Sequence, residues 1–151
     1  MANAQIQKQT IKGYKNAVEN FVNDNQFFTL SSLGKDGFTD SIEDFGFDAP
    51  FYESILKRPG HLQYLKFCGH YIFIKSPTKP SYDQFLSIFF DKYNRLELDE
   101  LLEALMQKFN LKMSFSELEQ FLKSAELEKL FYSPPLTTLF KNKEKYLDWI
   151  Y

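Results

Sequence analysis

The chain contains an internal repeat with a spacing of 68 residues. Its first copy begins with Tyr14, Val18, Phe21 and Val22, which follow the i, i+4, i+7, i+8 spacing of one helix face. The matched pairs are Tyr14 and Tyr82, Val18 and Leu86, Phe21 and Phe89, Val22 and Phe90, Phe28 and Leu96, Leu30 and Leu98, and Leu33 and Leu101. The segments FTLSSL and LELDEL, in which the repeat ends, both predict the start of a second helix. Two similar units in so short a chain predict a tandem protein rather than one enzyme domain.

The length of the chain suits one ordinary domain or two small ones. Its 151 residues give each unit about 75 residues, close to the lower limit for a stable core without disulfides or metals. The 17 phenylalanines and 9 tyrosines supply the apolar surface that such small cores need. The segment SPTKPS at residues 76–81 has two prolines among small polar residues and predicts a linker. We therefore predict two domains, residues 1–76 and residues 77–151.

Cysteine usage and hydropathy indicate a compartment. Cys68 is the only cysteine, so no intrachain disulfide is expected, as suits a reducing cytoplasm. The sequence has no apolar run of the roughly 18–20 residues that span a bilayer. Its first ten residues lack the apolar core of a signal peptide. These features predict a soluble, cytoplasmic protein with no membrane partner.

Periodicity and turn residues predict three helices and a β-hairpin in the first unit. The first helix covers residues 10–24, a short second helix follows, and the third covers 50–57 with Asp48 as its N-cap. A glycine-rich, acidic connection with a helical turn at 41–45 separates the second helix from the third. Aromatic and β-branched residues predict the two strands of a hairpin over 64–74.

The second unit repeats this order. Its helices are predicted at 82–93, 98–109 and 114–125, its strands at 130–132 and 138–140, and a last helix at 143–150. The predicted capping residues are Ser81, Ser114 with Glu117, and Asn142 at helix N-termini, and Asn110 at a C-terminus. The last helix carries an apolar stripe of Tyr146, Leu147 and Ile150, which could pack on either unit.

Three helices followed by a β-hairpin, with a tight turn between the second and third helices, resemble the winged-helix variant of helix-turn-helix. The resemblance covers nearly the whole chain, twice. It implies a fold class that is mostly α with small β-hairpins (α+β), built as two winged-helix-like units in tandem. It also implies that the helices at 50–57 and 114–125 are recognition helices and that the hairpins at 64–74 and 130–140 are wings. The long acidic connection in the first unit departs from the pattern.

Winged-helix proteins bind nucleic acid or, in many members, another protein, and the first unit carries the better basic patch. Its candidate nucleic-acid-binding residues are Lys57, Arg58, His61, Lys66 and Lys75, at the end of the third helix and on the wing. Lys12 and Lys15 could join them from the first helix. Cations at such positions can neutralise successive phosphates, and Arg58, the one arginine in the unit, is the candidate for reading base edges. The alternative is a scatter of surface lysines, because the whole chain has a formal charge of −2.

The second unit suits a protein partner better than DNA. Its third helix and the segment after it carry Glu117, Glu119, Glu126 and Glu128 against Lys123 and Lys129. An acidic recognition helix repels phosphate, so a protein partner, a homodimer contact or a solvated face is expected there. The aromatic pairs are Phe27 and Phe28, Phe89 and Phe90, and Phe131 and Tyr132. One member of each pair either faces the other unit or a second copy, or fills its own core.

The sequence offers little for catalysis or metal binding. Its soft metal ligands are His61, Cys68 and His70, one fewer than the four of a structural zinc site. The acids of the connection are Asp36, Asp40, Glu43, Asp44 and Asp48, whose spacing does not match an EF-hand loop. The chain has no phosphate-binding glycine loop, no HExxH and no G-x-S-x-G. We expect no catalytic residue, no metal and no cofactor.

These observations favour a non-catalytic, nucleic-acid-associated and DNA-binding module. The alternative is a protein–protein interaction adaptor, supported by the near-neutral charge, the acidic second unit and the surplus of aromatic residues. In either case the chain could be a fragment of a larger protein.

Overall fold

A computed structural model describes residues 8–40, 42–43 and 46–151. The chain belongs to the mixed α+β class, with helices and two small antiparallel sheets. It divides into two compact units. The first consists of Met1–Leu65 and Tyr71–Lys79, and the second of Lys66–His70 and Pro80–Tyr151. The second unit is therefore discontinuous in sequence, whereas sequence analysis assigned residues 66–70 to the first unit.

The first unit contains three helices and three strands among its described residues. They are α1 (Lys8–Phe21), β1 (Phe27–Phe28), α2 (Leu30–Lys35), α3 (Ala49–Leu56), β2 (Leu62–Phe67) and β3 (His70–Lys75). The hairpin ends of β2 and β3, at Lys66, Phe67 and His70, belong to the second unit. The sheet order is β1-β3-β2, and β1 runs antiparallel to β3 with Phe28 opposite Phe73. Ile42 lies in the connection between α2 and α3 and is fully buried. Ser41, Asp44 and Phe45, in which we predicted part of a helical turn, lie outside the described residues.

Local chemistry explains the boundaries of these elements. Thr29 caps α2 through a reciprocal box with Ser32, whose backbone N–H donates to the Thr29 hydroxyl over 3.1 Å. Asp48 precedes α3 as predicted, although its side chain makes no capping hydrogen bond. Cys68 and Gly69 have φ values of 48° and 82°, the left-handed pair that a two-residue hairpin turn requires. His70 already belongs to β3, so the turn consists of Cys68 and Gly69 alone.

The core of the first unit packs α1 against α3 and the sheet. Tyr14, Val18, Phe28, Leu33 and Leu56 are all buried in one cluster. The interior contacts are largely aromatic, since Phe28 stacks on Phe73 with ring centroids 5.7 Å apart. Burial of aromatic rings provides a large apolar area per residue, which lets a unit of this size form a core.

The second unit has the same order of elements, with one helix added. They are α4 (Tyr82–Ser87), a 3₁₀ turn (Ile88–Phe90), β4 (Arg95–Glu97), α5 (Leu98–Phe109), α6 (Phe115–Ser124), β5 (Phe131–Ser133), β6 (Thr138–Phe140) and α7 (Lys143–Ile150). Its sheet order is β4-β6-β5, antiparallel throughout. α7 packs on β5 and β6 of its own unit through Tyr146, whose ring lies 4.5 Å from that of Phe131.

The predicted helix caps of the second unit are confirmed. Ser81 and Asn142 accept hydrogen bonds from the backbone N–H groups of Gln84 and Lys145. Ser114 and Glu117 form the predicted capping box, with both N···O distances at 3.1 Å. Asn110 ends α5 with a φ of 54°, in the left-handed region. The caps could be predicted because each depends on a side chain and a backbone group only a few residues apart.

Two short strands were missed, because the second part of the repeat was read entirely as helix. Phe28 lies in β1 and Leu96 in β4, whereas Leu30 and Leu98 begin α2 and α5. β1 is two residues long and β4 three, too short for an alternating pattern to reveal. Each exists because it pairs with a strand more than 40 residues later in the chain.

Of the two alternatives for the aromatic pairs, filling the core of its own unit applies to Phe28, which belongs to the core cluster of the first unit. Phe27 and Phe28 form β1, and both are buried where this strand pairs with β3. Phe90 is buried and Phe89 is half-buried, with the Phe89 ring 6.1 Å from that of Phe109. Among the residues that the structure describes, no helix has the length and apolar character needed to cross a membrane.

Candidate functional site

The first unit has a surface hollow of about 530 Å³ lined by cationic and apolar side chains. We call it the basic hollow. It is lined by Lys8, Ile11, Lys12, Lys15, Ile55, Arg58 and Pro59. Lys8, Lys12 and Lys15 lie on one face of α1 at i, i+4 and i+7. Of the four cations, Lys8, Lys12 and Arg58 are exposed and Lys15 is buried.

Lys15 uses its ammonium group inside the unit. Its Nζ donates to the backbone carbonyl oxygen of Arg58 and, over 3.3 Å, to that of Pro59. Burial lowers the pKa of Lys15, the nearby charge of Arg58 lowers it further, and the charge of Glu19 opposes both. Lys15 therefore fixes the chain after α3, and its charge is less accessible than those of its neighbours.

Glu19 completes this attachment one turn later on α1. Its side chain is buried, and Oε2 accepts a 2.7 Å hydrogen bond from the backbone N–H of His61. The α1 side chains thus bind three backbone groups within residues 58–61, the segment between α3 and β2. A segment held in this way presents the Arg58 side chain from a defined position.

Lys57 points elsewhere. It is the C-cap of α3, and its Nζ lies 4.1 Å from the ring centroid of Tyr71 and 5.8 Å from that of Tyr64. These are cation–π distances. The charge of Lys57 is therefore directed onto the β2–β3 hairpin, and Lys57 does not line the basic hollow.

His61 and Lys75 line a different hollow, of about 450 Å³, together with Asp24 and Asn25. Lys75 Nζ lies 3.6 Å from Asp24 Oδ1, an ion pair whose carboxylate is largely exposed. A carboxylate at this position competes with phosphate for the lysine. The five predicted binding residues therefore do not form one continuous, uniformly positive surface.

Lys66, which we predicted to lie on the first wing, belongs to the second unit, with the rest of the hairpin tip at residues 66–70. Its backbone carbonyl accepts a 2.8 Å hydrogen bond from the Tyr82 hydroxyl. Next to it, Phe67 is fully buried, with ring centroids 5.3 Å from Phe85 and 4.6 Å from Phe121. A tip whose central ring is buried in this way cannot insert into a nucleic-acid groove while the second unit remains intact.

Cys68 and His70, which also lie at the tip, approach backbone carbonyl groups. His70 Nε2 lies 3.0 Å from the backbone carbonyl oxygen of Lys112. Cys68 Sγ lies 3.9 Å from that of Glu117, and burial raises the pKa of the thiol to about 12. The thiolate is therefore scarce at neutral pH, and Cys68 is a weak nucleophile.

The acids of α6 are committed to local structure. Glu117 caps the helix with Ser114, and these hydrogen bonds lower its pKa. Glu119 accepts a 2.9 Å hydrogen bond from the Tyr132 hydroxyl and lies 3.6 Å from Lys123 Nζ. The helix presents no concentration of positive charge for phosphate.

Within the described residues, no group of three or more histidine, cysteine, aspartate or glutamate side chains is arranged to hold a metal ion. Asp40 accepts a hydrogen bond from the Ile42 backbone N–H over 3.1 Å, and Asp48 precedes α3. Asp44 lies outside the described residues.

Sequence analysis did not include Lys8, Glu19 and Gly60 in the site. Lys8 was omitted because the first helix was predicted to begin at residue 10, although Lys8, Lys12 and Lys15 have helical spacing. Glu19 and Gly60 are linked to the site by contacts across about 40 residues, which no local pattern reveals. No protein-family model, no curated protein and no solved structure matches the chain.

Proposed function

We propose that the chain is a non-catalytic, nucleic-acid-associated module of two winged-helix-like units, and that the first unit binds nucleic-acid phosphates at the basic hollow. The observation that carries the proposal is the convergence of Lys8, Lys12 and Arg58, all exposed, around one hollow. Such a surface attracts a polyanion, because each neutralised phosphate releases condensed counterions. The order of three helices and a hairpin in each unit supports the winged-helix part of the proposal.

The proposed contacts are to the sugar–phosphate backbone rather than to base edges. α3 contains no lysine or arginine within Ala49–Leu56, and it carries Glu53. The tip of the first hairpin, which would form the wing, is packed around the buried Phe67 ring and is therefore not available to nucleic acid. Phosphate contacts position a protein without reading sequence. Binding should therefore depend strongly on salt and weakly on base sequence.

The test is fluorescence anisotropy with random-sequence duplex DNA, titrated at low and then at physiological salt. Three exposed cations predict a slope of log K against log salt of about −2 to −3. Lys12→Glu with Arg58→Glu should abolish binding at low salt. The matched control is Lys92→Glu with Lys141→Glu, which makes the same charge change at exposed lysines of the second unit. Equal losses in both variants, or no binding by the wild type, would refute the proposal.

The second candidate is a protein-interaction adaptor, and one observation favours it. On α7, Leu147, Trp149 and Ile150 are 39%, 53% and 42% exposed, an unusual run of apolar surface on one short helix. Arg95 stacks on one face of Trp149 with its guanidinium carbon 3.5 Å from the ring centroid. An apolar contact surface on α7 would keep its partner at high salt.

Sedimentation velocity at physiological and high salt tests the adaptor in its self-associating form. A dimer that persists at high salt and is lost in Trp149→Glu would support it, whereas a monomer under both conditions would exclude it. A cytoplasmic location suits both candidates, because the single cysteine has no disulfide partner within the chain.

A further inference from the structure

We propose that Lys15 and Glu19 are positioning residues that hold residues 58–61 so that the Arg58 side chain lines the basic hollow. This inference rests on the proposed function, and it changes the role of Lys15. At the level of sequence Lys15 was a candidate phosphate contact. Here it acts through Arg58 rather than on the nucleic acid.

The geometry leaves Lys15 little capacity to bind phosphate. Its side chain is only 8% exposed, and Nζ is directed at the carbonyl oxygens of Arg58 and Pro59. Glu19, 7% exposed, holds the N–H of His61. Two side chains one helical turn apart therefore bind both donor and acceptor groups of the same short segment.

Gly60 lies where these two side chains meet. A Cβ at this position would be 2.8 Å from Cε of Lys15 and 3.2 Å from Oε2 of Glu19. A separation of 2.8 Å is shorter than a carbon–carbon van der Waals contact. Glycine therefore allows the close approach of α1 to the segment, and a Cβ at residue 60 would force the end of the Lys15 side chain to shift and the Glu19 carboxylate to give way by a few tenths of an ångström.

The second unit supports a structural role for this position. Lys15 corresponds to Asp83 at the 68-residue spacing of the repeat. The carboxylate of Asp83 accepts hydrogen bonds from the backbone N–H groups of Glu128, Lys129 and Leu130, the segment before β5. In both units a buried charged side chain on the first helix thus binds the segment that leads into the hairpin. A cation is not required for that role.

Substitutions of Glu19 distinguish a positioning role from a purely electrostatic one. Removing a carboxylate near a phosphate site should strengthen binding if only charge matters. If Glu19 positions Arg58, Glu19→Leu should weaken binding even though the surface becomes more positive. Glu19→Gln retains a carbonyl oxygen that can accept from His61 N–H and should bind at least as tightly as the wild type.

The decisive measurement is a double-mutant cycle in the full chain with the random-sequence duplex. Gly60→Ala leaves the charge unchanged and should weaken binding at low salt by up to about tenfold, the contribution of roughly one phosphate contact. Arg58→Gln should have a similar effect. Because Gly60→Ala acts through Arg58, the double variant should bind no more weakly than Arg58→Gln alone.

Several results would overturn the inference. They are wild-type affinity in Gly60→Ala, additive losses in the double variant, and tighter binding by Glu19→Leu. Thermal unfolding of each variant checks that the chain is folded, and Gly60→Ala decides the matter if Glu19→Leu does not fold. If the wild type fails to bind at low salt, the proposed function fails and the inference with it. If the wild type binds and the cycle is additive, only the inference fails.

Discussion

Lys15 and Asp83 show how the same position can perform the same task with opposite charge. Each lies one residue after a repeated tyrosine, on the first helix of its unit, and each is buried. Lys15 donates to backbone carbonyls, whereas Asp83 accepts from backbone N–H groups. Lys15 binds Arg58 and Pro59, whereas Asp83 binds Glu128, Lys129 and Leu130. The bound segment of the first unit carries Arg58, whereas that of the second carries one acid and one base.

Asp83 provides a stability test at the residue scale. Asp83→Ala should lower the free energy of unfolding by about 3 kcal/mol, because the variant leaves buried or half-buried N–H groups without an acceptor. Asp83→Asn keeps one acceptor oxygen and should lose less. Urea denaturation followed by the fluorescence of Trp149, the single tryptophan, measures both.

The matched control is Asp91→Ala, at an exposed aspartate of the same unit. A loss for Asp83→Ala no larger than that for Asp91→Ala would mean that the three hydrogen bonds do not stabilise the segment before β5.

At the scale of elements, the caps of the second unit set its helix boundaries. α6 begins where Ser114 and Glu117 exchange hydrogen bonds, and α5 ends where Asn110 turns left-handed. Each boundary depends on neighbours in sequence, and each was predicted correctly. α1 and α4 ended earlier than predicted, at Phe21 and Ser87, because the apolar pattern continues beyond the last α-helical turn.

The α6 capping box makes stability depend on pH. Hydrogen bonds from Ser114 lower the pKa of Glu117 below its ordinary value of 4.5 in the folded chain. A carboxyl group with a depressed folded pKa contributes its stability above the unfolded value and loses it as the pH falls through the folded value. Glu117→Gln keeps the capping oxygen without a titrating charge. Its stability deficit relative to the wild type should therefore be present at pH 7 and shrink below pH 4.5.

Urea unfolding of the two proteins at neutral and acidic pH measures this difference. Glu103→Gln on the exposed face of α5 is the control. A deficit that is independent of pH would show that the ionised carboxylate adds nothing to the cap.

At the scale of the molecule, the second unit depends on five residues that precede it in the chain. Residues 66–70 belong to it, and Phe67 is buried among Phe85, Phe121 and Tyr82. The predicted boundary between residues 76 and 77 rests on the two prolines of the linker. Proline and small polar residues show where the chain is suited to a connection, but they do not show which side chains complete a core.

A fragment of residues 80–151 should therefore be less stable than the same unit in the full chain. It lacks Phe67, whose truncation from a core typically costs about 3–5 kcal/mol. Urea titrations followed by Trp149 fluorescence should show a lower midpoint for the fragment, and Phe67→Ala in the full chain should reproduce most of the shift. A fragment as stable as the full chain would show that Phe67 is not part of the core of this unit.

The local features of this chain could be predicted from its sequence alone. The repeat revealed the two units, the α+β class followed from helical periodicity and aromatic hairpins, and the caps followed from single polar residues. These features depend on interactions within a few positions. The pairing of β1 with β3, the attachment of Lys15 to a carbonyl 43 residues away, and the burial of Phe67 do not. They arise when segments that are distant in sequence pack against each other and remove water from their contact. This long-range packing divides the predicted basic residues among separate surfaces.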